Sequence, residues 1–265
     1  MNSTPDSARK IELDRERQQQ DALTVEKVHA HKRFALQRLL QRQSKLIHRY
    51  LIPQGDILEI GCGIGDFLEY CKRSFPGRKC IGLELSNSAV TAANQRLARI
   101  EGDNVHAVVG DAEDLEQIIA DLKQFNQLTN VVMRGVVHHL QRPQKVFLKI
   151  FNILPPGGKL IILEGNASSI YRKVTLNFAD LIGVQHEASP YPHMPPKDMA
   201  LLLEKLGFSK IEVGYLTSVF APIAYLGIGG TFFWKVADLL DSFAAKIAPE
   251  FFGWWFLLQT EKSLR

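Results

Sequence analysis

Hydrophobic and polar positions fall into two regimes along the chain. Over 8–50 the sequence has few glycines or prolines and many Gln, Arg, Lys and Leu. Leu39, Leu40, Leu46 and Ile47 share one partly apolar side, which predicts one or two helices. Residues 1–8 read as frayed, and Ile52-Pro53-Gln54-Gly55 ends the helical run with turn chemistry. Short apolar runs then alternate with helical patterns. Strands are predicted at 56–60, 79–85, 104–109, 130–134 and 159–164, with helices at about 65–74, 86–101, 115–125 and 143–152. Pro155-Pro156-Gly157-Gly158 makes a tight turn into the fifth strand. This alternation predicts a parallel, doubly wound α/β sheet. Toward the end come a short amphipathic helix at 197–206 closed by Gly207, a strand at 209–216 and a last strand at 254–260, separated by an apolar insertion at 217–250.

Composition adds limits. With 265 residues, 46% of them hydrophobic and 23% charged, the chain can bury a sizeable core without disulfide or metal staples, and global disorder is excluded. The net charge of +4 is uneven: residues 1–50 carry +5 and the remainder −1. The basic excess therefore reads as a solvated helical face, and the main body has no basic patch of the kind nucleic-acid binding needs. The amino terminus has no apolar run and is not a secretory signal. Cys62, Cys71 and Cys80 form no CxxC pair, so a reducing, cytoplasmic compartment is expected and structural zinc is not.

The strongest chemical signal is Ile57-Leu58-Glu59-Ile60-Gly61-Cys62-Gly63-Ile64-Gly65-Asp66. Glycines after a strand let the backbone turn sharply and approach a ligand at the following helix N-terminus. Glu84 ends the second strand, where a carboxylate can accept both ribose hydroxyl protons. Asp111, in Gly110-Asp111-Ala112-Glu113, follows the third strand, where a carboxylate can take the exocyclic amine of an adenine. Val136-Val137-His138-His139-Leu140 follows the fourth. A nicotinamide-dinucleotide site is the rival reading, but its fingerprint is GxGxxG, and here the third glycine comes one residue early and Asp66 stands in its place.

Together the glycine loop, Glu84, Gly110-Asp111-Ala112, the His-His-Leu run and Leu154-Pro155-Pro156-Gly157-Gly158 resemble the class I S-adenosylmethionine-dependent methyltransferases. The nearest flavour is the group similar to ubiquinone/menaquinone-biosynthesis and small-molecule methyltransferases. The resemblance covers 52–165 strongly and 195–216 and 254–262 more loosely. It implies a Rossmann-like seven-stranded sheet with the last strand antiparallel, an N-terminal helical lid over 1–51 and a methyltransferase domain over 52–265. The implied cofactor is S-adenosyl-L-methionine. Gly61, Cys62, Gly63 and Gly65 would pass beneath its methionine part and Glu59 would orient that loop. Glu84 and Leu85 would meet the ribose, Asp111 and Ala112 would frame the adenine, and Arg134 and Gly135 would lie near the sulfonium. Arg134 departs from the small or acidic residue of many relatives. A cation beside a sulfonium is unfavourable, so Arg134 is expected to point away or to pair with a substrate anion.

His138 and His139 are the candidate catalytic residues, because an imidazole near the transferred methyl can deprotonate a hydroxyl or amine. The bland alternative is that one caps the next helix and the other packs at the sheet edge. In related methyltransferases the segment 164–196 helps build the acceptor pocket, with Glu164, Tyr171, Arg172, His186, Tyr191 and His193 as its candidate contacts. Its aromatic and prolyl content reads as a shaped loop. His186 and His193 as metal ligands would need a supporting carboxylate and the right geometry, and no metal is expected. Residues 216–234 carry no charge over 19 positions, enough for a membrane span by length alone. Pro222 and the Gly227, Gly229, Gly230 cluster oppose a helix there, and a strand of the sheet must follow. The expectation is an apolar cap lined by Phe232, Phe233, Trp234, Phe243, Phe251 and Phe252 over the acceptor, resting on a membrane surface or forming a homodimer contact. The expected activity is methyl transfer to a small hydrophobic or amphipathic acceptor at O, N or C. A polar acceptor such as a sugar or amino compound is the runner-up, followed by a non-catalytic cofactor-binding subunit. Nucleic-acid and protein substrates are disfavoured, since no Asn-Pro-Pro-Tyr-like motif follows strand four.

Overall fold

The computed structural model describes residues 5–31, 34–115, 118, 127–181, 191–221 and 230–263. Two helices come first, α1 (Pro5–His31) and α2 (Phe34–His48). The alternating part follows as β1 (Asp56–Ile60), α3 (Asp66–Ser74), β2 (Cys80–Glu84), α4 (Asn87–Leu97), β3 (Val105–Val109), β4 (Leu128–Arg134), α5 (Pro143–Ile153) and β5 (Lys159–Gly165). The chain then runs through α6 (Ile170–Leu181), α7 (Pro196–Lys205), β6 (Phe208–Thr217), α8 (Thr231–Ile247), α9 (Pro249–Phe252) and β7 (Gly253–Lys262). Most of the helix expected at 115–125 lies outside the described residues.

The seven strands lie in the order β3-β2-β1-β4-β5-β7-β6. All neighbours are parallel except β7, which is antiparallel to both β5 and β6. Central strands such as β1 (DILEI) are buried at every position, as a sheet covered on both faces requires. Alternation sorts them into two cores. Ile57, Val132, Trp255 and Leu257 face α2, α3, α4 and α8, whereas Leu58, Met133, Phe256 and Leu258 face α5 and α7.

Local chemistry sets the helix starts. The Ser86 side chain accepts from Ala89 N–H at the head of α4, and Pro143 and Pro196 begin α5 and α7, where their missing N–H costs nothing. In α3, Asp66 and Glu69 occupy the first turn and Lys72 and Arg73 the last, matching the helix dipole.

Three expectations change. The segment 1–51 is not uniformly a lid: α2 buries Ala35, Leu39 and Ile47 in the core, and α1 alone crosses the edge where the site lies. The segment read as a shaped loop contains the helix α6, because Ile170, Val174, Phe178 and Leu181 recur at helical steps. The aromatics assigned to a pocket-lining cap are split. Trp234 is buried beside α2, Phe233 packs against the same core and Phe252 against Tyr171, whereas Phe232, Phe243 and Phe251 face outward. Among the described residues no helix is long and apolar enough to cross a membrane.

Candidate functional site

The carboxyl ends of β1, β2, β3, β4 and β5 meet where strand order reverses, with β1 between β2 and β4, the position at which open α/β sheets bind ligands. The glycine loop leaves β1 here. Gly61 has φ +73°, and a side chain on it would run into Val136 at 2.5 Å. Gly63 has φ +52°, yet nothing lies within 4 Å of where its Cβ would stand. Gly135, after β4, also has positive φ and open space at its Cβ position. The backbone thus presents two bare flanks. Gly63 N–H donates to Glu84 Oε2 at 2.9 Å and Ser86 N–H to Oε1 at 3.1 Å, which fixes the carboxylate at the end of β2.

Below the loop, Glu59 is fully buried and neither carboxylate oxygen has a hydrogen-bond partner. Arg134 Nε lies 3.6 Å from Glu59 Oε1, and another guanidinium nitrogen 3.9 Å from Asp66. Burial pushes the Glu59 carboxyl up to about 8, with Arg134 pulling it down and Asp66 and Glu84 pushing it further up. Arg134 is therefore directed at buried acids rather than standing as an unopposed cation. Its Nη1 is also buried without a partner. Cys62 turns its thiol toward the Gly63 carbonyl, 3.8 Å away. Its side chain is buried under Gly82, and burial raises its thiol pKa, so it is no nucleophile.

Asp111 caps the 3-10 turn Ala112–Asp114, accepting from Glu113 N–H at 2.8 Å, and Ala112 is buried in the core behind it. Burial raises the Asp111 pKa. Its Oδ2 pairs with Arg9 of α1 at 2.6 Å, and Arg9 also reaches Glu113 at 3.1 Å. The rest of α1 is fastened in the same way. Arg17 donates to the carbonyl of Leu85. Asp21 accepts from Ser86 and Ser88, and those hydrogen bonds hold its pKa below the ordinary value. The N-terminal charges are thus only in part a solvated face: Arg9, Glu12 and Glu16 recur at three- and four-residue steps and meet groups of the domain, while Lys10, Asp14 and Arg15 stay exposed. That spacing was the available signal, hidden because polar helices lack an apolar stripe.

At the ends of β4 and β5 lies a second cluster. His138 Nδ1 meets Glu164 Oε1 at 2.7 Å, and Glu164 also accepts from Val137 N–H at 2.9 Å and Gly165 N–H at 3.0 Å. Burial would raise the Glu164 pKa, but His138, the Gly165 N–H and the nearby His193 outweigh it and hold the carboxyl below its usual range. The His138 ring lies 4.2 Å from that of His139 and 4.4 Å from that of His193, centroid to centroid. Arg172 of α6 reaches His193 Nε2 at 3.4 Å. His138, Glu164 and His193 bring a carboxylate beside two imidazoles, the support that the sequence reading missed. Arg172 against His193 and two backbone donors on Glu164 make the group a poorer fit to a cation than to a hydrogen-bonded relay.

His139 faces the lid instead, 3.3 Å from Glu16. It lines a cavity of about 210 Å3 with Glu12, Arg15, Glu16, Gln19, Gln20 and Tyr191. The Tyr191 hydroxyl donates to Glu12 at 2.6 Å; its burial, and then that acceptor, push the phenol pKa upward. Tyr171 does not join the site: its ring packs on Phe252 and Trp254 and its hydroxyl donates to the Val219 carbonyl. His186 lies outside the described residues.

Residues 29–213 match the family described as Methyltransferase domain. The chain belongs to that family. Among curated relatives it is 35% identical over 78 residues to tRNA/tmRNA (uracil-C(5))-methyltransferase of Histophilus somni, covering 29% of this chain and 21% of that one. It is 25% identical over 181 residues to phosphoethanolamine N-methyltransferase 2 of Caenorhabditis elegans, covering 68% and 38%. The chain therefore spans well under half the length of these relatives. Its fold is that of a SAM-dependent methyltransferase from Archaeoglobus fulgidus (TM-score 0.61, 18% identity, 85% of this chain and 94% of that one).

The cofactor of this domain is S-adenosylmethionine, and the residues fit it. A buried carboxylate and a buried guanidinium with unmet hydrogen-bonding capacity, Glu59 and Arg134, match an amino-acid end that carries both charges. The bare flanks of Gly63 and Gly135 leave room for it. Glu84 ends β2 and Asp111 follows the neighbouring β3 at the same edge of the sheet.

Proposed function

We propose that this methyltransferase domain methylates a small amphipathic acceptor whose head bears an ionisable amine or hydroxyl, with His138 as the base. S-adenosylmethionine, when bound, supplies an electrophilic methyl group on a sulfonium. Glu59 and Arg134 would hold its amino-acid end, Glu84 its ribose and Asp111 its adenine. The α1 lid lies over this edge, held by Arg17 on the Leu85 carbonyl and Asp21 on Ser86 and Ser88, and would exclude water from it. Exclusion matters because electrostatic interactions strengthen as water leaves.

The observation that carries the reading is the buried His138–Glu164 pair, placed between the loop of Gly135 and the acceptor-side residues His193 and Arg172. An imidazole that donates from Nδ1 to a carboxylate has its basic lone pair at Nε2, and the carboxylate stabilises the imidazolium formed when a proton is taken. Glu164 is the positioning residue. The acceptor's polar head would reach His138 by way of the cavity at the lid, whose His139 ring lies 4.2 Å from that of His138 and whose Glu12 and Glu16 favour a group that donates hydrogen bonds. The similarity to an enzyme named as a phosphoethanolamine N-methyltransferase over 68% of this chain supports an amine head.

The test is turnover of methyl-labelled cofactor against a panel of amine- and hydroxyl-headed amphiphiles. His138→Asn should lower kcat by about 10²–10⁴-fold with cofactor affinity kept. Unchanged kcat would remove His138 from the mechanism.

A further inference from the structure

Helices α6 and α8 each bury one face and carry a second apolar stripe that faces solvent. On α8, Phe232, Leu239 and Phe243 are 80%, 71% and 63% exposed while Trp234, Ala237 and Ala244 point into the core. On α6 the outward residues are Val174, Phe178 and Leu181. The two helices are neighbours. Tyr171 of α6 packs on Phe252 of α9, which follows α8, and its hydroxyl meets the carbonyl of Val219, whose N–H donates to Asp241 of α8 at 2.7 Å. Two outward apolar stripes on neighbouring helices exceed what scattered exposed residues explain.

We infer that this face docks on an anionic lipid bilayer. Charge decides the occupant. At about 100° per residue, Lys235 and Lys246 stand on one flank of the α8 stripe, and on α6 Lys173 adjoins Val174 in sequence; all three lysines are exposed. The acids of α8 are engaged elsewhere: Asp238 pairs with Arg38, and Asp241 with Arg42 at 2.6 Å. An apolar stripe with a lysine margin is the pattern of a helix lying in the headgroup plane, where lysine stems cover apolar surface and their ammonium groups meet lipid phosphates. The face also abuts the site. Lys173 and Val174 turn outward immediately after Arg172 reaches inward to His193. An acceptor with an apolar body held in the bilayer would therefore present its head to the site without leaving the lipid.

The experiment is flotation of the full chain with vesicles of equal phosphatidylcholine and phosphatidylglycerol, without cofactor or acceptor, so that the outcome is independent of the methyl-transfer reading. Binding is expected, and it should weaken in 0.5 M salt and on vesicles of phosphatidylcholine alone. The triple variant K173Q, K235Q and K246Q changes only exposed side chains and should bind about a hundredfold more weakly, at about fivefold per lysine. Leu239→Gln with Phe243→Gln should also abolish flotation. Failure of the parent chain to float, equal flotation of parent and variants, or a stable dimer by light scattering that does not float would each overturn the proposal.

Discussion

Glu59 makes a prediction that separates folding from ligand binding. The folded carboxyl keeps its proton up to about pH 8 because it is buried, whereas the same group in the unfolded chain loses its proton near 4.5. Between these values the folded state holds one more proton than the unfolded state, so raising the pH favours unfolding. This contribution to stability is fully present below pH 4.5 and is lost as pH rises through about 8. The slope is about 1.4 kcal/mol per pH unit, and the whole loss is on the order of 5 kcal/mol. Glu59→Gln keeps the shape of the neutral acid and cannot ionise. Urea unfolding of parent and variant at half-unit steps from pH 5 to 9 should show the parent falling relative to the variant, with the gap levelling off above pH 8. Because Glu59 is also placed beneath the cofactor's charged end, the same variant should bind S-adenosylmethionine more weakly while being the more stable protein at pH 8.5. Parallel stability curves would refute the burial argument. A gap that widens toward low pH would reverse its sign.

Two further outcomes concern the lid and the base. Arg9→Ala removes a partly exposed ion pair to Asp111, the carboxylate assigned to adenine, so cofactor association should quicken in stopped-flow tryptophan fluorescence and affinity should rise by less than about tenfold. A fall in affinity would make Arg9 a cofactor ligand instead of a competitor. Glu164→Gln should lower kcat with the acceptor KM kept, since the neutral amide no longer stabilises the imidazolium that forms as the proton is taken. A raised KM with kcat unchanged would leave Glu164 a purely structural role.

The central sheet and the glycine loop were legible in the sequence because both depend on short-range signals. Mostly apolar runs such as Ile57–Ile60 and glycines bound to positive φ have few alternative structures. Glu84 and Asp111 were singled out because Glu84 ends β2 and Asp111 follows β3. The sequence named His138, Glu164 and His193 one by one but not their meeting, which forms only when distant loops converge. His138, Glu164 and His193 are scattered through the sequence, and nothing near any of them announces the other two. Apolar stripes misled in a different way. Phe232 and Phe243 look like pocket walls in sequence, but a helix with two apolar faces can bury only one against its own core, and here Trp234 and Ala237 take that place. The polar face of α1 was read as solvated because charge pairs across 102 residues, such as Arg9 with Asp111, leave no periodic hydrophobic trace.

The central claim is that the loop at the β1–β4 junction holds S-adenosylmethionine through Glu84. Calorimetric titration of the cofactor into the parent chain and Glu84→Ala, with thermal melting to confirm that both are folded, tests it most directly. Loss of charge-assisted hydrogen bonds to two ribose hydroxyls should weaken binding by about a hundredfold or more. Equal affinity in the two proteins would contradict the assignment of this site.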